Sequence, residues 1–416
     1  MPPYRLELIL LIAYFLLGPL MWATYGTIIV YGRRRMLLMK RPPQPVGGTP
    51  PSVTILIPAK DEGERIRACI ASALAQDYPD FDVIAINDRS TDNTGAVMDE
   101  MAAGNPKLRV LHNTVPPAEG WTGKNNALHQ GIKLATGQWL LLVDSDVVLE
   151  PDALSVSMSV VRRKNFDMLS LLPRLETHTL WESTLIPLAA AAASSLYLIA
   201  LANTQETRIA FANGQYMLMS RAAYDAIGGH TAVRDRFCED VAIARLMKNR
   251  GLRPRVSLGN EFSAVRMYSS LGAIFRGWSR IYYAAPDGRP WTILTGIAFL
   301  LACCLSAWAA LAWGAYRCVQ PGALGALLGG WAGPAWLGLA AAHVGLMTYF
   351  LAKVYRWSGN PGRRALLFLP LGGPMLVGIL LRGLRMCVTK KVEWRGTAYS
   401  HKMALDLNAT PPPPAG

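Results

Sequence analysis

Residues 139–146 read WLLLVDSD, an apolar run from Trp139 that stops at two carboxylates flanking a serine. A short continuous run of Trp, Leu and Val has the length and composition of a buried strand. In open α/β sheets such strands present ligand-binding groups beyond their carboxyl ends. Asp144 and Asp146 then occupy a strand exit, two oxygen ligands close enough to share one hard cation. Mg2+ or Mn2+ suits that pair and completes its shell with water or phosphate oxygens. The competing reading is a cap on the next helix, where Ser and Asp are common.

The flanking sequence repeats the pattern. SVTILIPAKDE (52–62) is an apolar strand ending at Pro58, and residues 63–76 carry Ile66, Ile70 and Leu74 at helical spacing. FDVIAINDRSTDNT (81–94) gives a second strand, a polar exit and a helix start; LRVLHN (108–113) is a short third strand, and Lys124 to Ala135 a helix. This alternation predicts a doubly wound, mainly parallel sheet with helices on both faces. Four exits follow in order: Pro58-Ala59-Lys60-Asp61-Glu62, Asn87 to Asp92, Trp121 to Lys124, and Asp144-Ser145-Asp146. Each alone reads as a turn or cap. Together they predict a crevice with backbone N–H groups, a lysine and a metal-binding pair, suited to a uridine, its ribose and a pyrophosphate.

Net charge is +14, a balance that first suggests nucleic acid. Position argues against that partner. Leu8 to Gly32 has no charged residue and is long enough to span a bilayer; Trp291 to Tyr316, Cys318 to Ala352 (apart from His343) and Ala365 to Leu381 are similarly apolar. Mean hydropathy is +0.21, the excess lying at the two ends. Arg33, Arg34, Arg35, Lys40 and Arg41 follow the first segment, Lys353, Arg356, Arg363 and Arg364 the third, and Arg382, Arg385, Lys390 and Lys391 the last. Such collars mark a cytoplasmic side and favour anionic headgroups. A signal peptide would carry its charge before the apolar run, so the N-terminal segment is expected to stay as an anchor. The six cysteines form no zinc or C-x-x-C spacing, and the histidines no metal set.

The expected organisation is an anchor (1–32), a basic Pro/Gly linker (33–51) and a cytoplasmic α/β domain (52–290, halves 52–146 and 147–290). A transmembrane hairpin (291–352) and a basic tail (353–416) follow, the tail holding a re-entrant or interfacial helix at 365–388. PPQPVGGTPP (42–51) reads as a semi-rigid spacer. The apolar stretch 180–202 lies inside the domain and contains Pro187; it is expected as an amphipathic surface helix at the bilayer, with a buried helix as the alternative.

In motif order from about Ser52 to Ala284 the chain resembles the family 2 glycosyltransferases of GT-A fold. It is most similar to their membrane-bound ceramide glucosyltransferase-like branch, which includes hopanoid- and carotenoid-associated enzymes. The resemblance implies nucleotide contacts at Pro58, Ala59, Glu62, Asp88 and Lys124, the last within GWTGKNNAL. It implies a metal pair at Asp144 and Asp146, with Asp146 the direct ligand. FANGQ (211–215) matches an acceptor-lining segment, giving Asn213, Gly214 and Gln215. Phe237-Cys238-Glu239-Asp240 matches an acidic pair with Asp240 as catalytic base and Glu239 on the acceptor side. Taken alone, Glu239-Asp240 is also a first-turn acidic pair favoured by the helix dipole.

One stretch departs from the family pattern. FRGWSRIYY (275–283) stands where many membrane members carry Q/R-x-x-R-W. Arg276 and Arg280 remain expected diphosphate contacts, and Trp278 either stacks on the acceptor or anchors at the interface. Val392 to Gly396 resembles a W-R-G element, read as an interfacial anchor. The implied activity is inverting transfer of one sugar from a nucleotide-diphosphate sugar, UDP-linked, to a membrane lipid hydroxyl. The rivals are a processive polysaccharide synthase and a catalytically silent scaffold.

Overall fold

The computed structural model describes residues 3–34, 36–44, 46–196, 199–285, 288–389, 391–394 and 397–400. The chain forms two compact units, one α/β (35–176, 194–267 and 390–416) and one helical (1–34, 177–193 and 268–389).

In the α/β unit the strands are β1 (Leu37–Leu38), β2 (Val53–Ala59), β3 (Phe81–Asp88), β4 (Leu108–Asn113), β5 (Trp139–Val143), β6 (Val147–Leu149), β7 (Met168–Leu175), β8 (Tyr216–Ser220) and β9 (Pro254–Val265). Between them run α1 (Ile66–Leu74), α2 (Thr94–Ala103), α3 (Gly123–Leu134), α4 (Ala153–Lys164), α5 (Arg221–Ala226) and α6 (Glu239–Asn249). The sheet order is β1-β9-β7-β8-β5-β2-β3-β4, with β6 on β9. Pairing is parallel except where β8 runs against β5 and β7, and β6 against β9. This is the mixed, mainly parallel sheet that the GT-A resemblance implies.

The period of two along each strand divides the core. Ile55, Ile57, Val83, Ala85, Leu141 and Val143 face α1, α2 and α4. Leu56, Ile84, Ile86, Leu140 and Leu142 face α3, α5 and α6. Both faces are covered, which is why these strands read as continuous apolar runs. Gly131 lets α3 lie close to the sheet, since a Cβ there would stand 2.3 Å from Ile86 Cδ1. At the start of α3 the Thr122 hydroxyl accepts the Asn125 N–H at 3.2 Å, an N-cap that fixes where Lys124 emerges.

The linker is not a free spacer. Leu37 and Leu38 pair with Ser257 and Leu258 of β9. Arg41 donates to Asp152 and to the Glu261 carbonyl, Gln44 N–H to Ser159 Oγ at 3.0 Å, and Arg162 Nη2 to the Gly47 carbonyl at 2.7 Å. Side chains on α4, Ser159 and Arg162, bind the linker backbone at Gln44 and Gly47, while the linker's own Arg41 reaches β9.

In the helical unit, Tyr4–Arg33, Pro290–Val319, Ala332–Trp357 and Gly362–Thr389 are each long and apolar enough to cross a bilayer. The last was expected as an interfacial or re-entrant helix; by length and composition it stands with the other three. It is irregular at Gly362–Leu367 and Phe368–Gly372, around Pro370 and the glycines that follow. The first also carries a π turn, at Leu16–Leu20 around Pro19. The helix Leu180–Leu196 differs from the expected amphipathic surface helix: residues 182–189 are buried all round. Two buried tyrosines bond to its backbone, Tyr355 Oη donating to the Thr184 carbonyl and Tyr282 Oη to that of Ala189, at 2.5 and 2.8 Å. Residues 177–193 and 268–290 thus fall in the helical unit, inside the span expected as one α/β domain.

Lys391–Trp394 and Thr397–Ser400 form a separate antiparallel ladder. Arg395 and Gly396 of the W-R-G element, together with Arg35 and Lys390, lie outside the described residues.

Candidate active site

The parallel strands β2, β3 and β5 end on one edge of the sheet, and β8, running the other way, begins there. Its first residue, Tyr216, pairs with Val143, the last of β5. Asn213-Gly214-Gln215 therefore arrives beside Asp144 although some 70 residues separate them. Ser170 of β7 fixes that arrival: its hydroxyl accepts the Asn213 N–H at 2.7 Å and donates to the Asn213 carbonyl at 3.1 Å.

Lys124 sits at the centre. Its ammonium lies 2.7 Å from Asp144 Oδ1 and 2.8 Å from Glu239 Oε1. One cation thereby joins the D-x-D exit to the first turn of α6. Burial alone lowers the proton affinity of such a group, but Asp144 and Glu239 outweigh it and hold Lys124 charged well above the ordinary lysine range. Gly214 is the fourth member. A Cβ there would be 3.1 Å from Lys124 Nζ and 3.4 Å from both Asp240 Oδ2 and Glu239 Oε1.

Asp240 is oriented by backbone donors. Its Oδ2 accepts the Gly214 N–H and its Oδ1 accepts the Val241 N–H, each at 2.8 Å. Burial, and next the neighbouring Glu239, push its carboxyl up to about 7, against the pull of Lys124. A carboxylate poised near neutrality and hydrogen-bonded in place suits proton acceptance.

Asp144 and Asp146 differ in their surroundings. Asp144 is neutralised by Lys124, whereas Asp146 has no ion pair among the described residues. Burial, then Asp144 and Glu62, push the Asp146 carboxyl up to about 7, with Arg65 opposing. The D-x-D end is thus short of positive charge, an environment that fits a divalent cation. Among the described residues no three His, Cys, Asp or Glu side chains form a metal-ligating set. A pair of carboxylates with the remaining positions left to phosphate or water is the arrangement Mg2+ accepts.

At the other exits, Pro58 and Ala59 end β2 in register with Ile86 and Asn87. Glu62 is buried, and its N–H donates to Thr94 Oγ1 at 2.8 Å. Asp88 is buried and held by Arg89, at 3.0 Å from Nε and 2.6 Å from Nη2. One expectation changes here. The N–H groups at the β2 exit are not open to a phosphate: Asp61, Glu62 and Gly63 donate to Ser90, Thr94 and Asp92. Asp61 and Arg89 were named from sequence only as members of the exit clusters, with no role of their own, and Ser170 was not singled out. Asp61 and Arg89 hold φ of 53° and 57° without being glycine, so no glycine marks these bends. Arg276, Trp278 and Arg280 lie on Leu271–Ala284 of the helical unit. Trp278 is buried there, its Nε1 without a hydrogen-bond partner among the described residues. His230 is buried under Tyr224 Oη, and burial pushes its imidazole down to about 3, which keeps it neutral as a packing group.

A family profile described as "Glycosyltransferase like family 2" matches residues 50–284. The chain is 27% identical over 279 residues to the 4,4'-diaponeurosporenoate glycosyltransferase of Staphylococcus aureus strain USA300, covering 66% of this chain and 71% of that one. Among solved structures it is similar to a mannosyltransferase from Pyrobaculum calidifontis in complex with GDP-Man and Mn2+. That likeness has a TM-score of 0.48 and 16% identity, over 93% of this chain and 98% of the other. S. aureus TarS 1–349 in complex with UDP gives a TM-score of 0.37 and 16% identity, over 72% and 91%.

Proposed function

The chain belongs to glycosyltransferase-like family 2, and from that premise we propose that it moves a single sugar, with inversion, from a UDP-sugar to a membrane lipid hydroxyl. The observation that carries the reading is the junction at Lys124, which ties Asp144 of the donor half to Glu239, next to Asp240, of the acceptor half. Pro58, Ala59, Glu62 and Asp88 bind the nucleoside end of the donor, and Lys124 its phosphates. Asn213, Gly214, Gln215 and Glu239 line the acceptor. Asp240 accepts the proton of the acceptor hydroxyl as that oxygen bonds to the anomeric carbon. The bond from that carbon to the diphosphate oxygen breaks, and its electron pair leaves with the nucleotide. Displacement in one step from the opposite side inverts the anomeric centre. Mg2+ or Mn2+ held by Asp146 with Asp144 supplies, when bound, stabilisation of the charge on the departing diphosphate.

The lipid acceptor is supported by the four apolar helices on the same chain and by the acceptor in the S. aureus relative's name. The basic collars support an inner-membrane enzyme whose catalytic unit faces the cytoplasm and whose helices meet anionic headgroups. The test is to incubate membranes holding the enzyme with a panel of labelled nucleotide sugars and weigh the extracted lipids by mass spectrometry. One hexose added per lipid is expected. A ladder of repeated increments would overturn single transfer, and label in water-soluble products alone would overturn the lipid acceptor.

A further inference from the structure

The segments that follow β2 and β3 are clasped by reciprocal hydrogen bonds. Three consecutive N–H groups on the β2 side reach across: Asp61 to Ser90 Oγ at 3.0 Å, Glu62 to Thr94 Oγ1 at 2.8 Å, and Gly63 to Asp92 Oδ2 at 2.9 Å. The return path is the Asp61 carboxylate. Its Oδ1 accepts both the Thr91 N–H at 2.7 Å and the Thr91 hydroxyl at 3.1 Å. Asp92 closes the far end by accepting the Thr94 N–H at 2.9 Å. The segments are close enough that a Cβ on Gly63 would overlap Asn93 Oδ1, at 1.8 Å.

The backbone is bent to make this possible. Among the described residues, Asp61 and Arg89 are two of the three non-glycine residues with positive φ, and they stand at the two clasped exits. Aspartate tolerates that region better than most residues. Arg89, turned the same way, closes on Asp88. Asp61 itself is exposed and has no ion pair among the described residues, so its exposure alone suggests a solvated surface acid. Its bonds suggest otherwise.

We propose that Asp61 is a positioning residue for the donor nucleotide: through Ser90 and Thr91 it locks the β3 exit, with Asp88, to the β2 exit, with Glu62, so that the two side chains meet one ligand in fixed register. The proposal rests on the reading of this edge as the nucleotide site. It also assigns work to the β2-exit amides: they brace the pocket wall and leave the diphosphate to cationic groups.

Three variants separate backbone from side chain. Asp61→Gly keeps access to positive φ and removes the carboxylate. Asp61→Asn keeps an Oδ1 acceptor for Thr91 and serves as the rescue. Ser90→Ala cuts the opposite bond without altering the β2 exit, and decides the matter if Asp61→Gly does not fold. The probe is UDP, with GDP as a second arm, titrated calorimetrically into full-length enzyme in detergent with Mn2+. For Asp61→Gly we expect Kd for the preferred nucleotide to rise at least about tenfold, since small displacements of positioning groups are amplified at a ligand. Donor KM should rise with it, while kcat changes less than about threefold. Asp61→Asn should stay within about twofold of wild type and Ser90→Ala should fall between. Unchanged affinity in Asp61→Gly, or in Ser90→Ala, overturns the proposal, and so does an Asn variant as weak as the Gly variant. If wild type binds neither UDP nor GDP, it is the reading of the nucleotide site that fails.

Discussion

Asp240→Asn should push activity and stability in opposite directions. In wild type the carboxyl titrates at about 7 in the folded chain, against 3.8 for a free aspartate, because burial and then Glu239 disfavour its charge. The folded pKa lies above the unfolded one, so stability is present below about pH 4 and is lost as pH rises through 7. At ~1.4 kcal/mol per pKa unit, the buried carboxyl costs the fold about 4 kcal/mol at pH 8, where it is ionised, and under about 2 at pH 5, where it must take up a proton. Asparagine carries no such charge. It has one acceptor oxygen where Asp240 uses two, for Gly214 N and Val241 N, and losing one such bond costs about 1 kcal/mol. The variant should therefore be more stable than wild type by about 3 kcal/mol at pH 8 and by about 1 at pH 5. Thermal unfolding in detergent with EDTA and no donor, run across that range, measures the difference. Transfer should meanwhile fall by about 10²–10⁴, and wild-type kcat/KM should rise as pH climbs through 7 and the base loses its proton. A variant that keeps its rate would refute the role of Asp240. One that is less stable than wild type at pH 8 would refute the electrostatic account.

Lys124→Met leaves Asp144 and Glu239 facing each other without a cation; a loss of about 3 kcal/mol is expected by thermal unfolding at pH 7, together with loss of transfer. Gly214→Ala presses a methyl against Lys124 Nζ and Asp240 Oδ2; we expect about tenfold slower transfer for about 1 kcal/mol of stability, and an unchanged rate would show that the loop yields freely. Gly131→Ala drives a Cβ into Ile86 and should cost about 1–3 kcal/mol or more in denaturant unfolding with no selective effect on KM. EDTA should abolish transfer and Mn2+ restore it, whereas Asp146→Asn should need far more metal for half-maximal rate. Activity indifferent to chelation would remove the metal from the mechanism.

The donor half was legible because its signals are local. β2 to β5 are apolar runs that stop at polar clusters, and each exit can be read within about ten residues. The acceptor half was harder. β7, β8 and β9 are joined in the sheet across the helix Leu180–Leu196, whose composition mimics a membrane span and hides the strands around it. The reversed direction of β8 has no sequence mark, yet it alone brings Gly214 to the exit of β5. Lys124, Asp144, Gly214 and Glu239 were each named from motifs, but that one ammonium joins two of the others is a tertiary fact. The linker's bonds to the α/β unit were hidden for a related reason. Its Pro and Gly content describes the backbone faithfully and says nothing of Ser159 and Arg162, which bind it, or of Asp152, which takes its Arg41.

β9 has a consequence for how the protein is made. It pairs with β1, β6 and β7, so Leu37 must wait for Ser257 before its partner exists. Until β9 has been synthesised, β7 has an open edge, and an unpaired edge is a template for other chains. Ordered late in the sequence and early in the sheet, β9 makes completion of the unit a slow, long-range event. During biosynthesis the first apolar helix emerges long before the sheet is complete, and the nascent chain must be kept from self-association meanwhile. Chains truncated before Pro254 should aggregate, whereas chains ending just beyond Val265 should recover protease resistance in residues 53–175. Equal resistance of the two would show that the sheet does not need its last strand.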